Sequence, residues 1–166
     1  MLTTSSRLAH TALRGMIVRN HGCLVNVSSL AVNFPLPYMS AYSIAKAGLS
    51  ALSESLIVET RGTNIAIIDF RPGDYSTAFN NVMRPAATAP TISARVARVW
   101  HTMDTQFNAA PLPERAAGDL YQAIARGRSG TVCSGTFFQT RLAPLAARLL
   151  PSTLMRRIQA LYFGAA

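Results

Sequence analysis

Leu2, Ser6, Ala9, Leu13 and Met16 recur at three- and four-residue intervals, which predicts a helix over Met1 to Arg19 that stops at Asn20 to Gly22. The period then changes. Cys23-Leu24-Val25-Asn26-Val27 is a short, almost wholly apolar run that opens after a glycine and closes on Ser28-Ser29, the pattern of a central parallel strand buried on both faces. Pro35 and Pro37 keep Leu30 to Tyr38 in a loop. From Ser40 to Arg61 the helical period is at its strongest, with Ala45, Leu49, Leu52 and Leu56 on one face and Gly62 as the stop. Asn64 to Phe70 is a second strand, ended by Arg71-Pro72-Gly73. Strand, helix, strand in that order predicts a parallel crossover unit and an α/β fold.

Between Asp74 and Pro113 the pattern loosens, with four prolines and a short helical piece around Ile92 to Met103; residues 74–113 read as a lid or substrate region. A helix over Glu114 to Arg126 and a short third strand over Gly130 to Gly135 follow. The tail, residues 137–163, carries one or two basic amphipathic helices from Leu142 to Phe163, broken at Pro151. No segment repeats. With 166 residues, 49% of them apolar, the chain suits one domain with a sizeable core and excludes a disordered chain or a disulfide-stapled miniprotein. No apolar run reaches the ~18 residues a spanning helix needs, and the first 19 residues lack the layout of a secretory signal, so a cytoplasmic location is expected. Cys23 and Cys133, each among strand-like apolar neighbours, are expected to be buried reduced thiols.

The net charge of +9 comes from 15 Arg and a single Lys against 7 Asp and Glu. The arginines are scattered rather than clustered and are not interleaved with aromatics, so no nucleic-acid partner is expected. The count singles out Lys46. It stands four residues after Tyr42 on the strong helix, so the two side chains leave the same face one turn apart. An ammonium beside a phenol favours phenolate and lowers a pKa of ~10 towards the range of a general acid or base. Ser29, thirteen residues before Tyr42, lies at the carboxyl end of the first strand, where open α/β sheets place their ligands. His10, His21 and His101 lie in unrelated segments, and no metal site is expected.

Taken together, Asn26-Val27-Ser28-Ser29, Tyr42-Ser43-Ile44-Ala45-Lys46 and Pro72-Gly73 followed by Thr77 resemble the short-chain dehydrogenase/reductase family in order and spacing. Tyrosine and lysine four apart on a helix is weak alone; joined to a serine at minus thirteen and Pro-Gly-x-x-x-Thr after the next strand it is specific. The resemblance covers nearly the whole chain but corresponds to the second, catalytic half of a usual member. It implies a partial doubly wound Rossmann-like sheet and hydride transfer between the nicotinamide of NAD or NADP and a hydrophobic carbonyl or alcohol. In that reading Tyr42 moves the proton, Ser29 holds the substrate oxygen, and Lys46 tunes Tyr42 and meets the ribose. Pro72, Gly73 and Thr77 position the carboxamide, and Asn26 supports the site.

The family's glycine-rich phosphate turn is missing. The ten glycines, at 15, 22, 48, 62, 73, 118, 127, 130, 135 and 164, contain no Gly-x-x-x-Gly-x-Gly spacing. The chain therefore reads as a truncated oxidoreductase whose sheet should expose an edge, the alternative being a noncatalytic remnant that serves as a protein interaction module. Family members pair through the helices that correspond to residues 1–19 and 40–61, so a homodimer is expected. Phe79, Val82, Met83, Trp100 and Phe107 are candidates for an apolar substrate pocket. The tail, with Arg148, Arg156 and Arg157 among leucines, suits peripheral contact with an anionic membrane or a cover over a substrate channel, docking onto its own domain being preferred.

Overall fold

A computed structural model describes residues 2–78 and 93–165. Helix α1 (Leu2–Arg19) leads into strand β1 (Gly22–Val27), a single 3₁₀ turn (Leu30–Val32) and helix α2 (Ser40–Glu59). Strand β2 (Ile65–Pro72), helices α3 (Ala94–Asn108) and α4 (Pro113–Arg126) and strand β3 (Gly130–Ser134) follow. A π turn (Phe138–Leu142) then opens two short helices, α5 (Ala143–Leu149) and α6 (Ser152–Tyr162), separated at Pro151 as its missing N–H and fixed φ require. Gly127 ends α4 at φ 60°, the left-handed conformation that suits a residue without Cβ.

The three strands form one parallel sheet in the order β1-β2-β3, with Gly22 opposite Ile65 and Ile68 opposite Gly130. The fold is α/β, as the alternation of periods implies. Along β2 the side chains alternate between two buried faces. Ile65 and Ile67 meet Leu13 and Met16 of α1 and Leu56 of α2; Ile68 and Phe70 meet Ala123 of α4, with Leu120 and Val132 beside it. A third cluster joins Met39, Val99 and Met103 to Phe163 and Ala165, so the end of the chain is held against α3.

β1 differs from its expected place. It is an edge strand, and the central strand is β2. Its apolar run is covered by α1 and α2 on one face, where Leu24 packs into the core. On the other face α4 lies over β2 and β3, so Val27 is 44% exposed and Cys23 is exposed rather than buried. An apolar run reports that a strand has something to bury; it does not report how many neighbours it has.

Burial decides which positions matter for stability. Ile67 is 0% exposed at the centre of the α1/α2 face, whereas Val18 is 89% exposed. Ile67→Ala is expected to lower the unfolding free energy by about 2–5 kcal/mol through lost burial and a residual cavity. Val18→Ala is expected to stay within about 0.5 kcal/mol. Urea denaturation followed by circular dichroism measures both.

Candidate active site

The carboxyl ends of β1 and β2 and the start of α2 meet at one cavity of about 840 Å³. Ser28 and Ser29 leave β1 in opposite roles. Ser28 Oγ donates to the buried Asp69 carboxylate at 2.5 Å, while Ser29 caps the 3₁₀ turn, its Oγ accepting from the Ala31 N–H at 3.1 Å. With its lone pair engaged by Ala31, the Ser29 hydroxyl has its own hydrogen for Tyr42, and the two side chains are hydrogen-bonded. Tyr42 sits in the first turn of α2, which Ser43 anchors by accepting the Leu36 N–H at 3.2 Å. One turn on, Lys46 donates to the Val27 carbonyl at 2.8 Å, and its ammonium lies 5.7 Å from the centre of the Tyr42 ring.

All six residues singled out from the sequence, Ser29, Tyr42, Lys46, Pro72, Gly73 and Thr77, line this cavity. Asn26 lies behind it, donating to Ser53 Oγ at 3.0 Å. Gly73 runs close to Gln139 and Leu30. A Cβ there would come within 2.6 Å of Gln139 Oε1 and 3.2 Å of Leu30 Cδ1, while the Gly73 N–H donates to the Ser134 carbonyl at 2.7 Å.

The electrostatics depart from the expectation. Tyr42 is held above the ordinary phenol pKa, because burial penalises the phenolate more than the Ser29 hydrogen bond favours it, and the Asp74 charge adds to the upward push. The Lys46 ammonium, 5.7 Å from the ring centre, does not reverse this direction, and partial burial lowers its own pKa. At neutral pH the phenol therefore holds its proton.

Several residues of the cavity escaped the sequence reading. Asp74 follows directly on Pro72-Gly73, and its Oδ2 accepts from Gln139 Nε2 at 2.5 Å; burial pushes its carboxyl above the usual range. Gln139 comes from the π turn, 65 positions further along, and Tyr162 from α6. Most of the lining is apolar and includes Leu142, Leu145, Leu149 and Ile158 of the tail and Phe107 of α3. Trp100, expected at the pocket, packs instead beside the Val99 and Met103 cluster, and Phe79, Val82 and Met83 lie outside the described residues. Among the described residues no group of three His, Cys, Asp or Glu side chains is placed to hold a metal ion, and no helix is long and apolar enough to cross a membrane.

Comparison with known proteins decides the family. A family model described as short chain dehydrogenase matches residues 1–88, more than half of the chain and all of the segment that carries Ser29, Tyr42, Lys46 and Pro72-Gly73-x-x-x-Thr77. The chain belongs to the short-chain dehydrogenase family. A dehydrogenase/reductase SDR family protein 7-like from Anopheles gambiae is 29% identical over 144 residues, which are 87% of this chain and 40% of that protein. Among solved structures, a 7beta-hydroxysteroid dehydrogenase superposes with a TM-score of 0.68 at 17% identity, over 98% of this chain and 55% of its own. A short-chain dehydrogenase from Sphingobium yanoikuyae in complex with NADPH gives 0.59 at 19% identity, over 96% of this chain and 52% of its own. This short-chain dehydrogenase thus spans about half the length of the solved structures it resembles and less than half of the curated relative.

The signs of the contributions to Tyr42 can be measured separately. Ser29→Ala removes the donor that favours phenolate and is expected to raise the Tyr42 pKa further; Asp74→Asn removes an adjacent charge and is expected to lower it. Ultraviolet titration of the tyrosines, with Tyr42→Phe identifying the Tyr42 component, reads both shifts.

Proposed function

We propose that this short-chain dehydrogenase is the catalytic half of an NAD(P)-dependent oxidoreductase that interconverts a hydrophobic carbonyl compound and its alcohol. The observation that carries the reading is the convergence of the Ser29 hydroxyl, the Tyr42 phenol and the Lys46 ammonium in a cavity lined mostly by apolar side chains. A few convergent polar groups in a mostly apolar cavity suit a substrate with one reactive oxygen and a hydrocarbon body.

The fit to the nicotinamide cofactor is divided. Lys46, with three donors of which one goes to Val27, and the Pro72-Gly73 turn leading to Thr77 suit the nicotinamide and its ribose. The adenosine and pyrophosphate end has no glycine-rich strand-to-helix turn in this sequence. NADH or NADPH, the latter bound in the related Sphingobium complex, would supply a hydride when bound, and the oxidised form would take one back in the reverse direction.

The chain's own residues carry the proton. Ser29 hydrogen-bonds the substrate oxygen and polarises the carbonyl; Tyr42, protonated at rest, gives its hydrogen to that oxygen as negative charge develops there. The Ser29 donor and the Lys46 charge then stabilise the phenolate left behind. Residues 74–113 and the tail 137–163 form the substrate region, supported by the places of Asp74, Phe107 and Leu149 on the cavity wall. A homodimer through α1 and α2 belongs to the same reading, supported by the exposed Ile17, Val18, Ile44 and Val58 on those helices.

Two measurements test this. With the upstream reading frame joined to the chain, NADPH and NADH oxidation is assayed against long-chain and short-chain ketones and aldehydes. Tyr42→Phe should cost roughly 10²–10⁴ in kcat, and reduction should fall off as pH rises through the raised Tyr42 pKa, because the donor must keep its proton. An unchanged rate in Tyr42→Phe would reject the proton donor. Titrating the 166-residue chain itself with NADH and NADPH should give weak binding, since the phosphates lack their turn; no binding to the extended chain either would favour the interaction-module alternative.

A further inference from the structure

The tail that walls the cavity leaves much of its apolar surface exposed. In α6, Leu154, Ile158 and Leu161 stand at i, i+4 and i+7 and are 44%, 42% and 71% exposed. On the preceding segment Leu142, Leu145 and Leu149, at i, i+3 and i+7, are 48%, 53% and 70% exposed, with Phe137 at 69% before them. α5 and α6 pack against each other, and Leu142, Leu145, Leu149 and Ile158 share one cavity wall, which brings the two stripes together; single exposed leucines would need no account whereas a group of this size does.

The charged side chains of this segment are all basic. Arg141 and Arg148 lie seven apart on the same flank of the Leu142 to Leu149 stripe, Arg156 and Arg157 fall on α6, and all four are exposed. No Asp or Glu follows Asp119 anywhere in the chain. Apolar side chains on a segment whose only charges are arginines match an acyl layer beneath anionic headgroups, and Asp74, the carboxylate that acts on Tyr162 of α6, lies within the cavity. RNA fits less well, because the patch presents leucine rather than a ladder of stacking aromatics. Leu142, Leu145, Leu149 and Ile158 also line the cavity, so the surface that would meet lipid is continuous with the cavity's mouth.

We propose that the α5–α6 hairpin is an interfacial docking surface for a bilayer rich in anionic lipid, lying in the headgroup plane without crossing it. The proposal rests on the surface and its charge and is independent of the redox reading.

The test is sedimentation of the 166-residue chain with vesicles of phosphatidylcholine alone or mixed with phosphatidylglycerol, at low and physiological salt. Binding should require phosphatidylglycerol, weaken with salt, and fall about tenfold or more in Arg156→Glu/Arg157→Glu. Arg7→Glu/Arg14→Glu on α1 should fall much less. Hydrogen exchange of the unmodified chain avoids any dependence on variant folding, and vesicles should slow exchange across 137–162. Equal binding by the two charge-reversal variants, protection confined to other segments, or a light-scattering dimer that Leu161→Ser dissociates without any vesicle binding would each overturn the proposal, as would retention on an RNA oligonucleotide but not on vesicles.

Discussion

The site depends on a carboxylate that never touches the cavity. Asp69, in the central strand β2, is 0% exposed and accepts three hydrogen bonds: from Ser28 at the end of β1, from Ser50 of α2 at 2.7 Å, and from Arg71 Nε at 2.7 Å. Burying an unpaired carboxylate would cost several kcal/mol, and charge-assisted hydrogen bonds of about 1.5–3 kcal/mol each offset that. Each donor comes from a different stretch of chain that must be in place for the carboxylate to be tolerated. Ser28 fixes where β1 ends, hence where Ser29 begins. Ser50 fixes the rotation of α2, hence where Tyr42 and Lys46, two turns and one turn earlier, point. Arg71 also donates to Ser50 Oγ at 2.8 Å and to Glu54 at 3.2 Å, closing the network on α2 from outside.

This network explains why the helix holding Tyr42 can start in an uncapped way. Met39, at its N-cap, makes no side-chain cap hydrogen bond. Position is set instead about three to five turns later, by Leu49 and Leu56 in the core and Ser50 at Asp69. Nearer the surface, Thr131 of β3 donates to the same Glu54 at 2.9 Å, so the third strand is linked to α2 across the sheet. The apolar layers hold the sheet and helices together, and the buried polar network ties β1, β2 and α2 to one another.

How far the sequence reveals the site follows from chain separation. Ser29, Tyr42, Lys46, Gly73 and Thr77 all belong to one strand, helix, strand unit, whose geometry is the same wherever it occurs, so spacing alone brings them together. Asp74 was equally local but carried no pattern, being one carboxylate in a loop. Gln139, Leu149 and Tyr162 reach the cavity only because the chain returns after β3, and a helical period does not report which face of a helix finds a partner. β1 was misplaced because its residues read alike at an edge or a centre; the neighbour that decides between them is not encoded in the strand itself.

The protonation state of Tyr42 shows which physical effect prevails. Counting charges on a helical wheel puts an ammonium one turn from a phenol and favours the phenolate, yet the folded chain holds the phenol above its ordinary pKa. Desolvation acts on the oxygen directly, whereas the Lys46 ammonium lies 5.7 Å from the ring centre with part of its donor capacity committed to Val27. Asp74 sharpens the contrast: held by Gln139 in the same apolar surroundings, it adds negative potential at the phenol while its own ionisation is disfavoured. Burial thus sets both acids of the cavity towards their protonated forms, and the single lysine of the chain adjusts that balance rather than determining it.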